Sequence, residues 1–396
     1  MMRVLNLFKA KELFKAMNDI GVDPNGIKLM LPKAQHSLVK IKGLSAIQAN
    51  IIKQQMLSLG AEAALAKDII TGRIKKTDCL LMGNHSHYNR LIAKLNKQSF
   101  NLQSIAKELD SALSNNDKEA FCFVAGKHTL NLGKRSCIMG IVNITEDSFS
   151  GDGLLGLKKE RIVEYALSLA KDGADIIDIG GESTRPGARR ISLKEEEERV
   201  IPIIKALSKK IKIPISIDTY KPQIAKIALE NGASIVNDIS GLRDHKMAKV
   251  AAKYKSGIII MHMLKNPRVM QKNPVYASLM DDLYSYLSLA VSKALQHGIA
   301  PNRIIIDPGI GFGKTLPHNL EIIKRLSEFK GLGMPIMIGL SRKSFIGRIL
   351  KVKPNRRLFG TIASCAVARM NGAAIFRVHN VKETKEALKV VDSLIS

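Results

Sequence analysis

The chain has 396 residues, 45% hydrophobic and 24% charged, proportions that exclude a disordered or fibrous protein. At roughly 150 residues per domain, this length predicts two or three units, or one barrel of about 250 residues with an appendage. The net charge of +27 is diffuse, with +9 on residues 1–118 and +18 on 119–396, and Trp is absent, so no nucleic-acid partner is expected.

Residues 1–118 read as a small α+β domain. Apolar stretches at 2–7, 38–42 and 78–83 predict strands, and periodic segments at 44–59, 86–96 and 101–113 predict helices. The polar stretch SNNDKEA (114–120) lacks an apolar period and is the expected linker. Residues 121–132 then alternate like a hairpin turning at Gly126-Lys127. Beyond it come eight strand-like runs: 137–143, 174–181, 214–218, 234–238, 257–263, 303–307, 335–340 and 373–379. Amphipathic segments such as 161–173, 222–232 and 383–395 separate them. Eight buried-type strands alternating with helices predict a (β/α)8 TIM barrel over residues 119–396. An open doubly wound sheet is the runner-up, and it usually has fewer strands. No apolar run approaches the ~18 residues of a membrane span, and the N-terminus carries too many charges for a secretory signal. The four cysteines (79, 122, 137 and 365) are far apart, with no CxxC. A cytoplasmic protein without a membrane partner is expected.

In such barrels chemistry sits at the C-terminal strand ends. Here the runs end in Asn143, Gly181-Glu182, Asp218, Asn237-Asp238, His262, Asp307, Ser341-Arg342-Lys343, and Arg377 with His379. One Asn or Asp in such a place is usually a turn former; polar ends on all eight strands point to a site. Carboxylates (Asp218, Asp307) and cationic residues (Lys343, Arg377, His379) together suit a ligand with a donor-rich heterocycle edge and an anionic end.

The motifs MGIVNITEDSF (139–149), IDIGGESTRPGA (177–188), SIDT (216–219), VNDISG (236–241), DPGIGFGK (307–314), GLSRKSFIG (339–347) and RVHN (377–380) closely resemble the dihydropteroate synthase family. The resemblance spans residues 121–396, and the preceding segment is similar to the extension of longer bacterial members. It implies a transferase of folate biosynthesis, a sulfonamide target. Such an enzyme joins 4-aminobenzoate to 7,8-dihydropterin-6-ylmethyl diphosphate and releases pyrophosphate. By this resemblance Asp218, Asn237, Asp307 and Lys343 hold the pterin, and Arg377 and His379 the diphosphate. The resemblance further implies that Asn143 binds Mg2+, that Thr184, Arg185 and Pro186 belong to a mobile second loop, and that Phe312 and Ser344 line the aminobenzoate site. A homodimer is also implied. The weak amine nucleophile favours an SN1-like loss of pyrophosphate with no covalent enzyme intermediate. The alternative, a methyltetrahydrofolate:corrinoid methyltransferase, has no use for a diphosphate clamp.

The family usually has Pro at the position of Glu146, Asp-Gly-Gly at 151–153 and Asp at the position of Asn380. Losing the proline is expected to loosen the first loop, and the new carboxylate to bring negative charge near the diphosphate. The remaining candidates have plainer readings. His85 and His87 read as a surface loop, His262 as either a ligand contact or a structural histidine, and GFGK (311–314) lacks P-loop spacing. Glu182 reads as a packing or capping carboxylate, with a catalytic role as the lesser alternative. KEEEER (194–199) reads as the solvated start of a helix.

Overall fold

In the computed structural model, which describes residues 1–7, 9–146, 153–183, 185 and 188–395, eight parallel strands close into a barrel. The chain divides into two units, Met1–Ser114 and Asn115–Ser396.

The first unit contains β1 (His36–Ser45), β2 (Glu62–Leu65) and β3 (Lys76–Asn84), an antiparallel sheet in the order β1-β3-β2. Helix Ala46–Ser58 starts at a capping box in which Ser45 Oγ accepts from the Gln48 N–H and the Gln48 side chain returns to the Ser45 N–H. Its buried Ile52 and Met56 pack with Leu81 of β3 and with Tyr88, Leu91 and Leu95 of helix His85–Leu95. Residues 2–7, expected as a strand, form none: Met1, Met2 and Val4 are exposed, and the sheet has no strand from this segment. An apolar run without alternation, interrupted by Arg3, has no face to bury. Helices Ala10–Asp19 and Pro24–Ala34 follow, the second opened by Asp23, whose carboxylate accepts from the Asn25 and Gly26 N–H groups. His85 and His87 lie in the first turn of a helix rather than in a loop, and His87 Nδ1 caps the Asn84 N–H. Residues 114–116 of the expected linker complete helix Leu102–Asn116.

In the second unit β4 (Phe121–Ala125) and β5 (His128–Leu132) pair as a hairpin, with Ala125 opposite His128 and Gly126-Lys127 as the turn. The barrel strands are β6 (Cys137–Asn143), β7 (Ile176–Gly180), β8 (Ile215–Asp218), β9 (Ile235–Asp238), β10 (Gly257–Met261), β11 (Ile304–Asp307), β12 (Ile336–Ile338) and β13 (Ala373–Val378). They run in chain order and close by pairing of β13 with β6. Side chains alternate across each strand. One set, including Ile177, Ile217, Val236, Ile258, Ile306, Ile338 and Phe376, packs with the outer helices. The other set, Met139, Ile176, Ile235, Ile259, Ile305, Met337 and Ile375, fills the interior together with Phe123 and Ala125 of the hairpin. The hairpin thus seals the lower end, leaving the C-terminal strand ends to form the site.

Gly257 makes room for that seal, since a Cβ there would lie 2.4 Å from Phe123 Cζ and 3.1 Å from Ala125 Cβ. Gly257→Ala is expected to destabilise the protein by about 1–3 kcal/mol through overpacking, and Phe123→Leu in the same chain to recover part of that loss. Urea midpoints of the single and double variants measure both.

Candidate active site

The interior register turns polar two residues above the apolar layer. Ile176 is followed by Asp178, Ile235 by Asn237, Ile305 by Asp307 and Ile375 by Arg377. A further step brings Asn143, Ser341 and His379 to the rim. These strand ends surround a cleft lined by Asn143, Thr145, Glu182, Asp218, Asn237, Asp307, Phe312, Ser341, Lys343, Arg377 and His379, among others.

Arg377 is the central group. Its Nε donates to Asp178 Oδ2 at 2.6 Å and its Nη2 to Asp218 Oδ2 at 2.7 Å, so one guanidinium joins β13 to β7 and β8. Burial works against its charge, and the two carboxylates more than offset this, raising its pKa above the ordinary value. Asn237 also donates to Asp178 Oδ2, at 3.3 Å. Gly180, between Asn143 and Asp218 in register, keeps that side open.

Burial pushes the Asp218 carboxyl up to about 7 despite Arg377, with the like charge of Asp178 adding to the rise. It pushes Asp307 up to about 6, opposed by the Gly309 N–H that donates to Oδ1 at 2.7 Å. Gly309 has φ +72°, and a Cβ there would lie 2.0 Å from the His262 carbonyl oxygen, so only glycine fits this turn. Burial and the neighbouring Arg377 lower Lys343 to about 8, and its Nζ stands 4.4 Å from the Phe312 ring centroid. His379 is pushed well below its usual value, first by burial and then by Arg342, Arg377 and Lys343, so it faces the cleft uncharged rather than as a cation. Its Nδ1 lies 2.9 Å from Ser341 Oγ.

Asn143, Asp218, Asn237, Asp307, Phe312, Lys343, Arg377 and His379 are therefore together in one cleft. Ser344 is exposed in the first turn of helix Ser344–Leu350 and does not line it. Arg185 is half-buried outside the cleft lining, and its N–H donates to Ser183 Oγ at 3.4 Å. Thr184 and Pro186 lie outside the described residues, as do 151 and 152 of the first loop. His262 is buried, does not line the cleft, lies 2.9 Å from Lys314 Nζ and packs edge-on to Tyr286. Its role is structural. The Asn380 side-chain oxygen accepts from Arg342 Nη2 at 2.9 Å.

KEEEER departs from its reading as a solvated helix start: Glu196 is 1% exposed, and the Arg199 side chain 10%. Lys221 pairs with Glu196 at 2.6 Å and with the cleft carboxylate Glu182 at 2.7 Å, and Tyr220 OH donates to Glu182 at 3.1 Å. Asp178, Glu196, Arg199 and Lys221 were not singled out from sequence. For Glu196 a signal existed: it shares the buried helix stripe of Val200, Ile203 and Leu207.

The pterin binding enzyme family matches residues 139–379. A dihydropteroate synthase from Synechocystis is 46% identical over 271 residues, covering 68% of this chain and 93% of its own. A probable bifunctional folylpolyglutamate synthase/dihydropteroate synthase from Halobacterium salinarum is 35% identical over 382 residues, covering 96% of this chain and 45% of its own length, so that match also takes in the first unit. The crystal structure of Yersinia pestis dihydropteroate synthase with a sulfonamide drug complex has a TM-score of 0.67 at 39% identity, covering 69% of this chain and 99% of its own. Fold and site thus define a pterin-binding barrel enzyme. Within that class, the chain belongs to the dihydropteroate synthase family, whose members are transferases.

A carboxylate accepts hydrogen bonds at both oxygens, and protonation converts one of them into a donor. With Asp307 at about 6 and Asp218 at about 7, lowering the pH through this window removes acceptors from the cleft. Affinity for a 7,8-dihydropterin, measured by calorimetry, is expected to fall at least tenfold between about pH 8 and about pH 5. A flat profile would contradict the assignment of these carboxylates to the ligand.

Proposed function

We propose that this cleft carries out the dihydropteroate synthase reaction through its own strand-end residues. The observation that carries the reading is the convergence of Asp218, Asn237 and Asp307 with Lys343, Arg377 and His379 in one cleft. The donor-rich pterin edge is assigned to Asp218, Asn237 and Asp307, with Lys343 beside it. Arg377 Nη2 donates to the Asp218 carboxylate. A pterin that takes over that carboxylate releases Nη2 towards the diphosphate, while Nε remains on Asp178. His379, held neutral first by burial and then by Arg342, Arg377 and Lys343, can donate a ring N–H to the diphosphate without taking up a proton. Phe312, rather than the exposed Ser344, is the group that borders the aminobenzoate.

Dihydropteroate synthases use a divalent metal, and we take the ion to be Mg2+. Among the described residues no group of three or more His, Cys, Asp and Glu could hold a metal. Asn143, whose side-chain oxygen is of the kind a hard cation prefers, is the residue that would hold it. Beside it the buried Thr145 hydroxyl, with no partner among the described residues, is a further oxygen on this side of the cleft. Such an ion would supply positive charge to balance that of the diphosphate.

In the reaction the bond from the pterin methylene carbon to the diphosphate oxygen breaks, and its electron pair leaves with pyrophosphate. The amine lone pair of 4-aminobenzoate then forms the new C–N bond, and the nitrogen loses a proton. The buried carboxylates Asp218 and Asp307 stabilise the cationic dihydropterin, and Arg377 and His379 the leaving group, in an SN1-like transfer.

A cytoplasmic setting agrees with four free cysteines, three of them buried. A homodimer is supported by helix Leu358–Met370. Phe359, Ala363, Val367 and Met370 recur at i, i+4, i+8 and i+11 and are all exposed, with Ile349 and Leu350 exposed on helix Ser344–Leu350. A bare apolar stripe of this kind suits a second copy of the same surface.

With dihydropterin diphosphate, 4-aminobenzoate and Mg2+, the wild-type chain is expected to release pyrophosphate in a single turnover, and Lys343→Ala to slow it by about two orders of magnitude. No product, or product unaffected by Lys343→Ala, would overturn the reading. Phe359→Glu is expected to shift the sedimenting species from dimer to monomer; a wild-type chain that sediments as a monomer at micromolar concentration would remove the dimer.

A further inference from the structure

The buried part of KEEEER reaches the ends of two neighbouring barrel strands. Arg199, on helix Leu193–Leu207, donates from Nη1 to the Gly181 carbonyl at 3.0 Å, just beyond β7. Its Nη2 donates to Glu195 Oε1 at 2.6 Å and lies 3.5 Å from Glu146 Oε1, just beyond β6. Glu195 is itself held by Arg189 at 2.6 Å. Each anchored position adjoins residues of the cleft wall: Asn143 and Thr145 precede Glu146, and Glu182 and Ser183 follow Gly181. The β6 side is a closed stem in which the Leu154 N–H donates to the Asn143 carbonyl at 3.0 Å and the Leu155 N–H to the Thr145 carbonyl at 3.3 Å. The β7 side is packed down, since a Cβ on Gly181 would lie 2.7 Å from Val200 Cγ1 of the same helix. The Glu146 carboxylate, expected to bring negative charge near the diphosphate, faces the Arg199 guanidinium.

We propose that Arg199 is a positioning residue that fixes the β6 and β7 ends of the cleft relative to each other, with Glu146 as its partner on the β6 side. The inference rests on the cleft being the site of the proposed reaction. Arg199 touches neither the deep carboxylates Asp218 and Asp307 nor Lys343, so its effect falls on the rim where Asn143 and Thr145 meet the reacting end of the substrate. A buried guanidinium with three partners places these groups more firmly than a chain of exposed contacts can.

The test compares wild type, Glu146→Gln, Arg199→Lys, Arg199→Gln and the double variant Glu146→Gln/Arg199→Gln. Two measurements are made: kcat/KM for dihydropterin diphosphate, by pyrophosphate release, and the equilibrium affinity for a 7,8-dihydropterin lacking the diphosphate. Arg199→Gln is expected to lower kcat/KM about tenfold or more while changing dihydropterin affinity less than about twofold, and Arg199→Lys to restore part of the loss. Glu146→Gln, at a 70% exposed side chain, is expected to lower kcat/KM about two- to fivefold and to have no effect when Arg199 is already Gln. Wild-type kcat/KM in Arg199→Gln, an equal loss of dihydropterin affinity, or a Glu146→Gln effect that persists without Arg199 would each overturn the proposal. Should Arg199→Gln fail to fold, Arg199→Lys takes its place: an equal loss of kcat/KM and of dihydropterin affinity in that chain would do the same. A wild-type chain that makes no product instead overturns the reaction assignment beneath it.

Discussion

The guanidinium of Arg377, shared by Asp178 and Asp218, is the interaction on which the cleft depends. Asp178 is fully buried and the Asp218 side chain is 15% exposed, and burying two carboxylates on adjacent strands is costly unless a cation stands between them. Arg377 supplies that charge from β13, across the closure of the barrel. The same contact accounts for several neighbouring properties. It keeps Asp218 from rising further, raises the cost of protonating His379, and adds to the depression of Lys343.

The arrangement follows from strand geometry. A barrel strand shows only every second residue to the interior. With the lower end filled by Phe123 and Ala125, the next inward position on each strand is the first that can face a ligand. Asp178, Asn237, Asp307 and Arg377 all occupy that position, one step above an isoleucine. A few residues thus bear the electrostatics of the site, whereas the +27 net charge of the chain is spread over both units.

The barrel was legible because its strands are isoleucine-rich runs bounded by turn formers, and the site because polar residues end every run. Structure carried by weak or distant signals was not legible. Strand β2 is Glu-Ala-Ala-Leu, whose alanines have little preference for a sheet, and residues 2–7 are apolar yet have no strand to join. KEEEER looks like surface because four carboxylates in a row usually are. Glu196 is buried because Lys221, on a different loop, comes to meet it, and nothing local announces that partner. Ser344 stands next to Lys343 in sequence, but the start of a helix turns it outward. Asp178 lay inside a recognised motif, but its bond to Arg377 spans almost the whole barrel sequence and is visible only once β13 lies beside β6.

That last pairing governs how the chain can be made. The register of Ile375 with Cys137 joins the first barrel strand to the last. During synthesis β6 emerges early and keeps a bare edge until β13 follows, and the growing edge of the sheet is equally unpaired. Phe123 of the hairpin likewise waits for β9, β10 and β11 before its pocket exists. Contacts this distant along the chain fold slowly and leave strand edges open to other chains in the meantime. The interval between the appearance of β6 and that of β13 is therefore when the nascent protein is most exposed to misassembly.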